Sequence, residues 1–167
     1  ARAGTPVHVL FTADPGRLPA DAAKAYQSCR ATRADFCRAV PSGKFSLVVD
    51  ALFGIGLARP IAGDYAELIA RINAYAGPVL ALDLPSGLDG DSGRVLGVAV
   101  RATHTLSFIG GKPGLFTLDG PDHCGEVAIA DLDLEPGDHP GAVLSTTDFR
   151  AALQPRRRNS HKGSFGS

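Results

Sequence analysis

Two carboxylates in this chain each follow a short apolar run. Phe45-Ser46-Leu47-Val48-Val49 leads into Asp50, and Val79-Leu80-Ala81-Leu82 leads into Asp83. Each acid is followed within a few residues by glycine, in Ala51-Leu52-Phe53-Gly54 and in Leu84-Pro85-Ser86-Gly87. An apolar run that ends in an acid and a turn reads as a buried strand meeting a loop. In an open parallel α/β sheet the carboxyl ends of the strands are where ligands bind. An Asp at that place can do acid–base work or ligate a cation. It can equally close a turn by accepting backbone N–H groups. The doubled pattern, on what read as neighbouring strands, favours a shared site.

Between the two acids lies Gly54-Ile55-Gly56-Leu57-Ala58-Arg59-Pro60. Its glycines let the backbone approach a phosphate closely and aim amides at it. It is not G-x-G-x-x-G and lacks the P-loop Lys-Ser/Thr, so a plain strand-to-helix turn remains the alternative. Ser86 has no G-x-S-x-G around it and no identifiable histidine partner, which leaves cation ligation or a turn hydrogen bond. Lys112, in Gly110-Gly111-Lys112-Pro113-Gly114, either meets a phosphate or is solvated. Together these residues describe an α/β crevice for an anionic small molecule, with two acids in it.

The elements that must hold them alternate in type. Residues 7–12 and 35–40 read as strands bounded by Pro and Gly turns, with a helix from Ala20 to about Arg30 between them. Pro19 is expected at the first helical position, with Ala22, Ala25 or Tyr26, and Cys29 on the inner face. Residues 45–52 read as a strand buried on both faces. Asp64 and Glu67 suggest an N-cap and capping box for a helix. Its apolar face is Tyr65, Leu68, Ile69, Ile72, Tyr75 and Ala76, and it ends at Gly77. Strands follow at residues 79–82, 103–109 and 125–132, and a short helix is expected at 146–153. Alternating strands and helices predict βαβ units and a parallel sheet.

Composition bounds the class. The chain has 167 residues and a formal net charge of zero, enough for one domain and no argument for nucleic acid or an anionic membrane. No apolar run reaches membrane-spanning length, so a cytoplasmic protein is the expectation. Three cysteines follow no metal spacing and read as free thiols. There is no methionine and the chain opens on Ala-Arg-Ala-Gly, so a piece of a longer polypeptide, cut at both ends, is expected.

Longer motifs narrow the reading. V-V-D-A-L-F-G-I-G-L-A-R-P-I-x-G-x-Y-A-x-L-I from Val48 and P-V-L-A-L-D-L-P-S-G-L-D-G-D-S-G from Pro78 closely resemble the NAD(P)H-hydrate epimerase family, the YjeF N-terminal domain. A-T-H-T-L-S-F-I-G-G-K-P-G-L and G-E-V-A-I-A-D-L are similar to it too. The tail, L-x-P-R-R-R-N-S-H-K-G-S-F-G, resembles the entrance to an ADP-dependent NAD(P)HX dehydratase of ribokinase-like fold. The resemblance therefore implies residues 1–140 as a partial epimerase domain and 141–167 as linker and the start of a dehydratase domain in the same chain.

It implies a Rossmann-like three-layer α/β/α fold with a mostly parallel central sheet, incomplete at the N-terminus. It implies interconversion of the R and S forms of hydrated NADH or NADPH. By match to the family pattern, Asp83 is the acid–base and substrate-contacting residue. Asp50 and Ser86 match potassium (K+) ligands, and Gly54, Ile55, Gly56, Leu57, Ala58, Arg59 and Pro60 match the substrate loop. The family's Asn-Gly-Gly-Asp-Gly-type loop has no counterpart here, so an open pocket, little or no epimerase activity and poor stability are expected of this chain alone. A non-catalytic binding or scaffold module, or an inactive fragment, is the competing reading. An ordinary dinucleotide oxidoreductase is disfavoured by the missing G-x-G-x-x-G.

Overall fold

The structure, a computed structural model, describes residues 4–134, 141–150 and 159. The described elements run β1 (His8–Leu10), α1 (Ala20–Arg30), β2 (Asp35–Cys37), β3 (Val48–Asp50), α2 (Asp64–Asn73), β4 (Val79–Leu82), β5 (His104–Phe108), α3 (Gly120–Cys124) and β6 (Glu126–Ala130). All strand pairs are parallel. β3-β4-β5-β6 form one sheet in chain order, and β1-β2 form a second, two-stranded one. This is the parallel α/β arrangement that the alternating pattern predicts, of the Rossmann-like class that the resemblance implies, here in two sheets.

The covered face of the larger sheet is built by α2. Ile69 is fully buried and packs with Ile61, Val79 and Val100, while Phe53 and Tyr65 meet edge to face at 4.9 Å. A second cluster, Leu84, Leu88, Leu115 and Cys124, sits beneath the strand ends. Each fully buried leucine in it contributes about 1.5–3 kcal/mol. Beside β1 and β2, Tyr26 packs between Phe11, tilted to it at 4.7 Å, and Phe36, edge to face at 5.6 Å.

Several sequence expectations are corrected. β3 is shorter than expected, and Val49 is 50% exposed, because no described element covers that face. Helix α1 turns Ala23, Tyr26 and Cys29 inward, not Ala22 or Ala25, and Pro19 is its N-cap with extended backbone. Helix α2 starts one residue early for a capping box: Gly63 at φ 60 is the N-cap, and its carbonyl accepts from the Ala66 and Glu67 amides. Asp64 is therefore already helical, and the helix ends at Asn73 rather than Gly77. Residues 146–150 form turns, and the rest of the expected helix at 146–153 lies outside the described residues. So does residue 140, where the domain division falls, and nearly all of the basic tail.

The three thiols are free; Cys29 and Cys37 are half-buried and Cys124 is buried. Burial pushes the Cys124 thiol up to about 11, which keeps it neutral and inert.

Candidate active site

Asp50 ends β3 and is 1% exposed. Its nearest partner is Ser86, which follows β4 across the sheet. The Ser86 hydroxyl donates to Asp50 Oδ1 at 2.7 Å and the Ser86 amide donates to Oδ2 at 2.8 Å. The Leu52 amide adds a longer bond to Oδ1 at 3.3 Å. Ser86 Oγ in turn accepts from the Phe53 amide at 2.9 Å and lies 3.3 Å from the Phe53 carbonyl. Burial raises the Asp50 carboxyl above the ordinary carboxylate range; the Ser86 hydrogen bonds partly offset this. Gly87, next in the chain, holds φ 96, and a Cβ there would stand 2.0 Å from the Val98 carbonyl. Only glycine lets the turn carrying Ser86 lie against the backbone at Val98.

Asp83 stands just past the end of β4 with φ 71, in the left-handed region that Asp tolerates. Its amide donates to the Leu106 carbonyl at 2.8 Å, so the strand pairing runs up to it. Oδ1 forms an ion pair with Lys112 and accepts a long bond from the Phe108 amide at 3.4 Å. Lys112 also donates to Ser107 Oγ at 3.1 Å and to the Phe108 carbonyl at 2.9 Å. Oδ2 of Asp83 accepts no hydrogen bond among the described residues, and it lies 4.0 Å from where a Gly54 Cβ would be.

The structure thus brings together Asp83, Gly54, Lys112 and, through Gly90, Ile55. An added Gly90 Cβ would stand 3.6 Å from Ile55 and 3.9 Å from Lys112. The loop at 54–60 is mostly exposed and closes one turn, with the Leu57 amide on the Gly54 carbonyl at 3.2 Å. The amides of Ile55, Gly56, Ala58 and Arg59 donate no hydrogen bond among the described residues. A cleft of about 330 Å³ opens beside this loop, between Leu57, Arg59, Pro60 and Tyr65; Asp83 does not line it. The two acids do not converge. Asp50 pairs in register with Ala81, two residues short of Asp83, and is enclosed by Ser86.

Lys112 is the residue whose role sequence reasoning missed. In this fold its ammonium pairs with Asp83, 29 residues away in the chain. A lysine directly after the Gly110-Gly111 pair that follows β5 was the available signal, and local pattern could not supply the partner.

An acid at a parallel-strand end, beside an exposed glycine loop, marks the carboxyl edge of an open α/β sheet, the place where proteins of this class bind ligands. The particular family is the YjeF-related protein N-terminus, to which this chain belongs: the family profile matches residues 1–114. The NAD(P)H-hydrate epimerase of Bordetella parapertussis (strain 12822 / ATCC BAA-587 / NCTC 13253) is 45% identical over 137 residues, 80% of this chain and 60% of that protein. The bifunctional NAD(P)H-hydrate repair enzyme Nnr of Coxiella burnetii (strain RSA 493 / Nine Mile phase I) is 36% identical over 98% of this chain and 35% of its own length. That of Thermofilum pendens (strain DSM 2475 / Hrk 5) is 39% identical over 73% of this chain and 24% of its length. The chain spans about 60% of the length of the Bordetella epimerase it matches.

Proposed function

We propose that this chain carries the epimerase chemistry of nicotinamide-nucleotide repair, acting on the hydrated forms of NADH and NADPH. One observation carries the reading: Asp83 Oδ2 accepts no hydrogen bond among the described residues and faces Gly54, beside a loop with unfilled amides. The names of the similar proteins support it. The reacting carbon bears a hydroxyl beside a ring nitrogen, so its bonds already break reversibly in water. Asp83 carries the proton from that hydroxyl to the ring nitrogen as the carbon–nitrogen bond opens to an aldehyde. It carries the proton back as the ring recloses on the other face. The loop from Gly54 through Pro60 binds the phosphates, which keeps the ring in place while it opens.

Potassium belongs to the same proposal. Asp50 is a buried carboxylate with no cationic side chain paired to it among the described residues. Besides the Ser86 and Leu52 amides that donate to it, Asp50 has Ser86 Oγ beside it, with the Phe53 carbonyl 3.3 Å from that hydroxyl, and such oxygens are the donor chemistry of a hard cation. Asp50, Ser86 and the Phe53 carbonyl would hold the ion, which would balance the buried charge and fix the root of the substrate loop.

Fusion to a dehydratase is also proposed. Its support is that the match to the Coxiella bifunctional enzyme runs over 98% of this chain, whereas the Bordetella epimerase matches 80%. No helix among the described residues is long and apolar enough to cross a membrane, and a cytoplasmic setting goes with the repair role. Pairing with a second copy is supported by exposed Leu47 and Val49.

The test is epimerisation of R-NADPHX with potassium, followed chromatographically. It is run on this chain, on a version extended at its N-terminus with the segment of a relative, and on each with Asp83→Asn. Asn tolerates the same positive φ, so the substitution isolates the carboxylate. Turnover that falls about 10²-fold or more on Asp83→Asn supports the reading. Silence from both unsubstituted versions sinks it in favour of a binding module.

A further inference from the structure

Lys112 follows the end of β5, and all three of its ammonium hydrogens have acceptors: Asp83 Oδ1, Ser107 Oγ and the Phe108 carbonyl. Nothing remains on it to meet a phosphate. We infer that Lys112 is a positioning residue: it pins one oxygen of Asp83 so that the other, Oδ2, alone faces the substrate. The inference rests on the epimerase reading and deepens it.

The socket around the ammonium is built for this. The Lys112 and Asp83 side chains are 19% and 21% exposed, so the pair is shielded from solvent screening more than a surface pair is. Ser107 is fully buried, and its hydroxyl donates to the Gly110 carbonyl at 3.2 Å, which leaves its lone pairs to accept from Lys112. The Phe108 carbonyl is aimed by an unusual turn. Ile109 has φ 67, the Gly110 amide donates back to the Phe108 carbonyl at 2.7 Å, and the Ile109 amide donates to the Ala130 carbonyl at 2.7 Å. This is a γ-turn of the rare positive-φ form, and a β-branched residue occupies it.

Neighbouring strands β4 and β5 therefore both end in left-handed backbone, at Asp83 and Ile109, and both ends present partners to Lys112. Strain of that kind persists where surrounding contacts over-determine it, and it clusters at functional sites. A carboxylate freed at Oδ1 could rotate and offer either oxygen. Tied at Oδ1 by Lys112 and the Phe108 amide, it offers Oδ2, toward Gly54.

Lys112→Met keeps the length of the side chain and removes the tie. The crystal structures of the wild type and of this variant are compared for the Asp83 carboxylate, and both proteins are assayed on R-NADPHX. The expected results are a fold retained, a carboxylate turned away from its Gly54-facing position, and kcat reduced about 10²-fold with KM changed less than about 3-fold. Alkylating Lys112→Cys with 2-bromoethylamine rebuilds an ammonium at nearly the same reach and should restore kcat, while treated wild type is unchanged. A carboxylate that stays in place overturns the inference, as does a raised KM with kcat intact, which would make Lys112 a phosphate ligand. Should the wild type fail to turn over hydrated nucleotide, the epimerase reading fails, and the crystallographic comparison still decides whether Lys112 pins Asp83.

Discussion

Ser86 is the residue that makes the buried Asp50 tolerable. Its hydroxyl donates to Asp50 and accepts from the Phe53 amide, so Ser86→Ala would take the shortest hydrogen bond from the buried Asp50 and leave the half-buried Phe53 amide without its acceptor. The expected cost is about 1–3 kcal/mol, read as a lower urea midpoint at unchanged m-value. Asp50 also links stability to pH. Its folded carboxyl is raised by burial above its unfolded value. Between those two values the folded state holds the extra proton, so stability falls as pH rises through the window. Asp50→Asn should flatten that fall. If a potassium ion binds there, potassium should raise Tm more above the window than below it, and should not do so in Asp50→Asn. An equal potassium effect at both ends of the window would remove Asp50 as a ligand. Asp50 and Asp83 were legible in the sequence because a strand, an acid and a glycine turn are local pattern. That Ser86 saturates the first, and Lys112 ties the second, was not legible, since both partners are set by register between strands.

At the scale of the element, boundaries followed how much local signal each segment carries. β4 and α1 were read at their observed ends, because a proline or glycine punctuates each. The start of α2 was misread by one residue: Asp64 and Glu67 imitate a capping box, while the carbonyl of Gly63 does the capping. Helix α3, Gly-Pro-Asp-His-Cys, was missed because five residues cannot display a helical period. The turn at Ile109 had no sequence signal, since a β-branched residue argues against positive φ. That makes Ile109→Gly informative. The substitution relieves strain of about 1–3 kcal/mol against a glycine entropy cost of about 0.5–1 kcal/mol. Ile109 is 45% exposed, so little buried surface is lost. The expected outcome is a protein stabilised by about 1 kcal/mol in urea unfolding, with slower turnover because the Phe108 carbonyl is less firmly aimed at Lys112. Destabilisation would show that the turn is not strained.

Across the whole molecule, the expectation of strands buried on both faces fails in one informative place. β4 keeps Val79 and Ala81 buried under α2, whereas β3 at the sheet margin presents Val48 to that core and Val49 to the open side. A continuous apolar run such as Leu47-Val48-Val49 cannot by itself say which faces are covered, because coverage is decided by helices elsewhere in the chain. The two faces should therefore answer differently to the same chemistry. Ile69→Ala opens a cavity between α2 and the sheet and should cost about 2–5 kcal/mol. Val49→Ala removes methyls that are half in water already and should cost less than about 1 kcal/mol. Urea unfolding of both variants checks the contrast. Equal losses would mean that a second copy or another segment covers Val49 in solution. Dilution would then separate the two, because a cover supplied by a second copy is lost as concentration falls, while one supplied within the chain is not.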